Sequence, residues 1–122
     1  MTRFMTQPWE SIRQFYTDRQ ADGSPSIASM VELVTKIESS QYASGLHAWT
    51  SMFDLCIVQV PVNYPYNGPF LKVSPAEGGK LDFRYMDTSD LGNQWHRLVD
   101  GSDGFHRLES FLDQLHWFSR VT

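Results

Sequence analysis

The sequence predicts an α+β fold: an antiparallel β-meander of about five strands, with two N-terminal helices and one C-terminal helix packed on it. Three observations predict it. Apolar residues recur at helical spacing near both ends of the chain. The middle changes to short apolar, β-branched and aromatic runs. Gly, Pro and Asn clusters separate those runs. Helices segregated from strands, rather than alternating with them, favour helices on one face of an antiparallel sheet.

The first helix rests on Trp9, Ile12, Phe15 and Tyr16, which fall on one face. Pro8 suits a first-turn position, where its missing N–H costs nothing, and Asp22-Gly23 punctuates the chain afterwards. The second helix rests on the stripe Ile27, Met30, Val31, Val34 and Ile37. Ser24-Pro25 or Ser26 caps its start, and Ser39-Ser40 and Gly45 end it.

Leu46–Met52 and Leu55–Val60 then read as strands. The second is apolar on both faces, so it belongs at the centre of the sheet or is covered twice. Phe70–Val73 and Leu81–Tyr85 flank the turn signal Ala76-Glu77-Gly78-Gly79. Pairing Val73 with Phe83 and Leu71 with Tyr85 gathers four apolar residues on one face. The same register sets Lys72 opposite Arg84, and Ser74 opposite Asp82, on the other. Asp87–Asn93 reads as loop and Gln94–Val99 as the last strand. Ser102 is the expected N-cap of the third helix, with Asp103 in its first turn, where negative charge is favoured. Phe105, Leu108, Phe111, Leu112, Leu115 and Phe118 form that helix's wide apolar stripe.

A chain of 122 residues fits one domain covering 1–122. Its hydrophobic share of 41% and aromatic share of 14% supply a real core and argue against disorder. The net charge of −4 is divided evenly on either side of Pro61, and the ten cations are scattered. A nucleic-acid binder needs a positive field to displace counterions, so nucleic acid is not expected as a partner. One cysteine allows no intramolecular disulfide, which fits a reducing compartment. The first residues carry no apolar leader, and no run approaches the ~20 apolar residues of a membrane span. The expectation is a cytoplasmic protein with no membrane partner.

The chemical motifs fail at named positions. Cys56 sits in the apolar run Leu55–Val58, the setting of a structural rather than a reactive thiol. His47, His96, His106 and His116 show neither the i,i+4 nor the i,i+2 spacing of paired zinc ligands, so no metal is expected. A phosphate loop ending in Gly79-Lys80 would need Gly where Ser74 stands and Ser or Thr where Leu81 stands. Gly101-Ser102-Asp103-Gly104 lacks the G-x-S-x-G of a nucleophile elbow. A calcium loop from Asp100 would need an oxygen donor at Gly104 and a Glu at Phe111. No cofactor is implied, and a non-catalytic chain is expected over an enzyme.

Three features remain. The stretch from Pro61 to Phe70 is stiffened by three prolines and carries Asn63, Tyr64, Tyr66 and Asn67. Tyrosines on a stiff loop make recognition anchors, with asparagines as adaptable hydrogen-bonders. The plain alternative is a connection whose tyrosines lie over the core edge. Arg84, His96 and Arg97 come from neighbouring strands, beside Tyr85 and Asp87, with Trp95 as a possible wall. Such a group binds an anion or supplies acid–base chemistry with electrophilic support; the alternative is a solvated sheet face with cross-strand charge pairs. Trp117 falls opposite the third helix's stripe. Either it is an exposed contact residue or the helix ends near His116 and the chain folds back to bury it. The expected function is therefore a protein-binding, adaptor or immunity-like module whose partner is another protein or a second copy of the chain. The alternative is a small-molecule or anion site, or an enzyme's, around Arg84, His96 and Arg97.

Overall fold

The computed structural model describes residues 5–20 and 23–117. Asp22 of the first turn signal and Phe118 of the last stripe lie outside the described residues. Two helices, α1 (Trp9–Gln20) and α2 (Pro25–Glu38), precede five strands: β1 (His47–Ser51), β2 (Asp54–Val58), β3 (Phe70–Ala76), β4 (Lys80–Met86) and β5 (Trp95–Asp100). Helix α3 (Gly104–Leu115) closes the order. The strands form one antiparallel sheet in the order β1-β2-β3-β4-β5, the predicted α+β meander.

Periodicity explains the helices. Ile12 and Tyr16 of α1, with Ile27, Met30, Leu33, Val34 and Ile37 of α2, are buried at helical spacing. Ser24 is the N-cap of α2 and Pro25 its first residue, where a prolyl ring fits a helix start. Pro8 falls just outside α1, and its carbonyl accepts from the Ile12 N–H. The third helix starts later than Ser102 suggests. Gly101–Asp103 form a 3-10 turn, and Asp103 rather than Ser102 is the N-cap. The close approach of Gly101 to the β3–β4 turn explains the delay: a Cβ there would lie 2.2 Å from the Gly79 carbonyl.

The predicted β3–β4 register is the observed one: Val73 faces Phe83, Leu71 faces Tyr85, Lys72 faces Arg84 and Ser74 faces Asp82. Both strands run further than their apolar centres, through Ala76 and from Lys80 to Met86. Strand β2 is flanked on both sides by strands, and its residues from Leu55 to Val58 are all buried. Gln59 and Val60, counted with it in the sequence, have already left the sheet and are exposed.

Alternation gives the sheet two different faces. The helix face carries Ala48, Leu55, Ile57, Leu71, Val73, Leu81, Phe83 and Val99 into a core shared with Ile12, Tyr16, Leu33, Leu108 and Phe111. The Tyr16 hydroxyl donates to the Phe53 carbonyl at 3.0 Å, which ties α1 to the β1–β2 turn. The open face carries Trp49, Cys56, Lys72, Arg84 and His96 in one row across all five strands.

Candidate functional site

The loop between β2 and β3 returns over the open face and is fixed at several points. Tyr66 donates its hydroxyl to the Pro69 carbonyl at 2.7 Å and sets its ring edge-on to Trp49, with centroids 6.0 Å apart. Trp49 also packs on Phe70 at 5.6 Å. Gly68 makes room for this arrangement, since a Cβ there would lie 2.5 Å from the Tyr66 hydroxyl. The Asn67 carbonyl accepts from Thr88 Oγ1 at 2.7 Å, and the Val62 carbonyl accepts from the Met5 N–H at 2.7 Å. The Tyr64–Pro65 bond is cis.

The two tyrosines therefore part company. Tyr66 is half-buried packing, and desolvation raises its phenol above the ordinary range. Tyr64 is 83% exposed. Asn63 and Asn67 are exposed beside it. Val60, on the same loop, and Leu91, on the adjoining β4–β5 loop, are exposed apolar residues at the same end of the sheet. That neighbouring loop is organised by Asp87, which is buried. Its carboxylate accepts from the Ser89 hydroxyl at 2.8 Å and from the Ser89 and Asp90 N–H groups at 3.1 and 3.2 Å. These bonds, the Ser89 hydroxyl first, hold the Asp87 carboxyl below the ordinary carboxylate range.

The polar group is only partly assembled. Arg84 and His96 are cross-strand neighbours on the open face and line a shallow hollow of about 210 Å³ with Tyr85, Gln94 and Trp95. Arg97 faces Phe83 on the helix side, because adjacent residues of a strand point to opposite faces. Its guanidinium lies 5.7 Å from the Trp95 ring. Asp82, which the β3–β4 register sets on the same face, joins Arg84 and His96 although the sequence does not group it with them. It accepts from Arg84 Nε at 2.8 Å, and its other oxygen lies 3.6 Å from His96 Nδ1. That second oxygen is buried and has no hydrogen-bond partner among the described residues. The signal was present in the i,i+2 spacing of Asp82 and Arg84, which puts both on one face of a strand.

Trp117 folds back. Helix α3 ends at Leu115, His116 adopts the left-handed conformation at φ 58°, and the Trp117 N–H returns to the Leu112 carbonyl at 3.1 Å. Trp117 is half-buried against the core, and its carbonyl accepts from Gln59 Nε2 at 3.0 Å. Cys56 is buried, and desolvation, then Asp54, push its thiol up to about 12.

Sequence reasoning also missed the opposite end of the sheet. Met52 and Phe53 form the β1–β2 turn and are exposed, Met52 at φ 57°. A turn built of Met and Phe lacks the Gly or Asn that marks one in sequence. Phe53 borders a hollow of about 550 Å³ with Arg19, Pro25, Ile27 and Pro75. The hollow is larger but offers little chemistry. Among the described residues that line it the one cation, Arg19, is already stacked on Phe15 at 3.6 Å and bonded to the Phe15 carbonyl. Among the described residues no three of His, Cys, Asp and Glu gather where they could hold a metal ion. No described helix is long and apolar enough to cross a membrane. No family model, no curated protein and no solved structure matches the chain.

Proposed function

We propose that this chain is a non-catalytic protein-binding module that presents Tyr64 as its anchor. The observation that carries this reading is the 83% exposure of Tyr64 on a loop whose other parts are tied down. A loop already ordered before binding loses little entropy when it binds, and a tyrosine has only two side-chain torsions to fix. Val60 and Leu91 add exposed apolar surface at the same end of the sheet.

The test uses the full chain as bait in a lysate of its source cell, beside the Tyr64→Ala and Tyr66→Ala variants. For a captured partner, Tyr64→Ala weakens affinity about tenfold or more, the effect of a central aromatic contact. It leaves unfolding free energy within about 0.5 kcal/mol of wild type. Tyr66→Ala lowers stability by about 1–2 kcal/mol through lost packing on Trp49. Equal capture and equal affinity for wild type and Tyr64→Ala would remove the reading.

A second reading, a small-molecule or anion site in the hollow at Arg84 and His96, is favoured by the Asp82 oxygen beside His96 that no described residue bonds. That oxygen gives the imidazole an acceptor that would orient it for acid–base work. Against it, Arg84 is already engaged by Asp82. Titration of inorganic phosphate or acetate, followed by the His96 ring proton resonances, decides: unmoved resonances would dismiss this site.

A further inference from the structure

We propose that two copies of this chain join edge to edge through β5, about a two-fold axis passing through Leu98. The sheet ends at β5, and no described residue pairs with its outer side, whereas β1 at the other end is met by a bridge from Gln7. An open strand edge is a template for pairing. Leu98, at the middle of this edge, is 59% exposed.

The backbone fixes which residues offer their groups. The His96 carbonyl accepts from Arg97 Nη1 at 2.8 Å. A carbonyl reached by a side chain curling round the sheet edge is turned away from β4. Backbone groups alternate sides along an antiparallel strand, so Leu98 and Asp100 turn theirs outward as well. Pairing then needs only the Arg97 guanidinium to lift from that carbonyl.

The side chains select the register. With Leu98 opposite the second copy's Leu98, His96 faces the second copy's Asp100, and the reverse, all on the open face. His96 and Asp100 are 71% and 68% exposed, so both are available. An imidazole donates an N–H to a carboxylate whether or not it is charged. Asp100 already holds Lys80 at 2.9 Å, and a second donor fits the same carboxylate. On the helix face, Arg97 meets the second copy's Val99. Centring the axis on Arg97 would set two guanidiniums opposite each other, and like charges directly opposite are unfavourable; centring it on His96 would take the imidazole away from the second copy's Asp100. Of these three registers the Leu98 one is complementary. A single-strand edge buries far less than the ~1,600 Å² of a standard interface, so this dimer is a weak one.

Sedimentation of the full chain over a dilution series up to about 1 mM, the range of small transient interfaces, tests the proposal. The mass should rise from 14.1 kDa towards twice that value. Leu98→Lys, Asp100→Lys and His96→Asp should each weaken association tenfold or more. An equimolar mixture of the Asp100→Lys and His96→Asp chains should recover it, because the altered positions then face opposite charges. Circular dichroism of each variant checks its fold. As a second measurement, the Leu98→Cys variant should cross-link under oxidation and Arg97→Cys should not. The Cα separation of a hydrogen-bonded pair, about 5.5 Å, suits a disulfide. A mass of 14.1 kDa at every concentration with no Leu98→Cys cross-link would overturn the proposal, as would association untouched by Leu98→Lys.

Discussion

The two halves of the open sheet face differ although they share one surface and one register. Over β1 to β3 the face is dry apart from the partly exposed Lys72 and Asp54: Cys56 and Val58 are buried beside Trp49 and Phe70, and Tyr66 packs on Trp49 from the returning loop. Over β4 and β5 it is wet: Arg84, His96 and Leu98 are exposed, and Arg84 is paired with a partly buried Asp82. Strand pattern does not separate the halves, since each mixes apolar with polar residues on this face. The connections separate them. The β2–β3 loop folds back over its strands, whereas the β4–β5 loop folds around its own Asp87. Burial outside the main core is therefore decided by where a loop goes, and Tyr64 is exposed on the loop whose Tyr66 roofs the dry half.

The sharpest way to break this contrast is to remove its aromatic support. Trp49→Ala should destabilise the protein by about 2–3 kcal/mol, below the value for a fully buried aromatic because Trp49 is only half-buried. The equivalent change in the wet half, Arg84→Ala, should cost about 1 kcal/mol or less, since this ion pair is largely solvated on the Arg84 side. Denaturant unfolding measures both. Trp49→Ala should also open Cys56 to thiol reagents, raising its labelling rate about tenfold or more over the buried native thiol. Equal losses from the two substitutions would mean that the halves are not energetically distinct.

The sequence was legible where a single local rule decides the outcome. Alternation and a two-glycine turn set the β3–β4 register residue by residue. Helical spacing found most of the buried positions of α1 and α2, though it counted the half-buried Val31 and left out the buried Leu33, and of the two alternatives for Trp117 the chain takes the backward fold. Legibility stopped where distant segments meet. Tyr64 and Tyr66 are two residues apart and compositionally alike; only contact with Trp49, far away in sequence, makes one a roof and leaves the other in water. Arg97 looked like a partner of Arg84 and His96 by proximity, but strand alternation turns it to the other face. Asp82 looked like a solvated pair for Ser74, and its partial burial depends on neighbours from β4 and β5 together. The Ser102 cap failed because the approach of Gly101 to Gly79 moved the helix start.

The halves should also fail at opposite ends of the pH scale. In the dry half, burial raises the Cys56 thiol from its ordinary 9.0 to about 12. The unfolded chain loses this proton first as pH rises. Stability is therefore intact below pH 9, falls between pH 9 and about 12, and levels beyond that. One pH unit above the unfolded value the loss is about 1 kcal/mol. Tyr16, buried and raised in the same direction, adds to the fall from its ordinary 10.0 upward. Melting temperatures of wild type and Cys56→Ala across this range check the assignment. The variant should show a shallower alkaline decline, and identical slopes would show that the thiol takes no part.

The wet half carries the smallest effect, and it is acidic and local. Bonds from Ser89, Asn93 and Asp90 hold the Asp87 carboxyl below its ordinary 3.8. The folded state keeps the charge more firmly than the unfolded chain does. The contribution is thus fully present above the ordinary value and is lost as pH falls through the lower, folded one. The amide protons of Ser89 and Asp90, which donate directly to Asp87, should report that titration in an NMR series with a midpoint below 3.8. Asp87→Asn should abolish the shared step while leaving the resonances of Tyr66 and Trp49 in place. A midpoint at or above 3.8 would mean that the loop is not built around this carboxylate. A matching step in the Tyr66 resonances would mean that the two halves answer to one group, and the boundary between them would have to be redrawn at Thr88, whose hydroxyl bonds the Asn67 carbonyl across it.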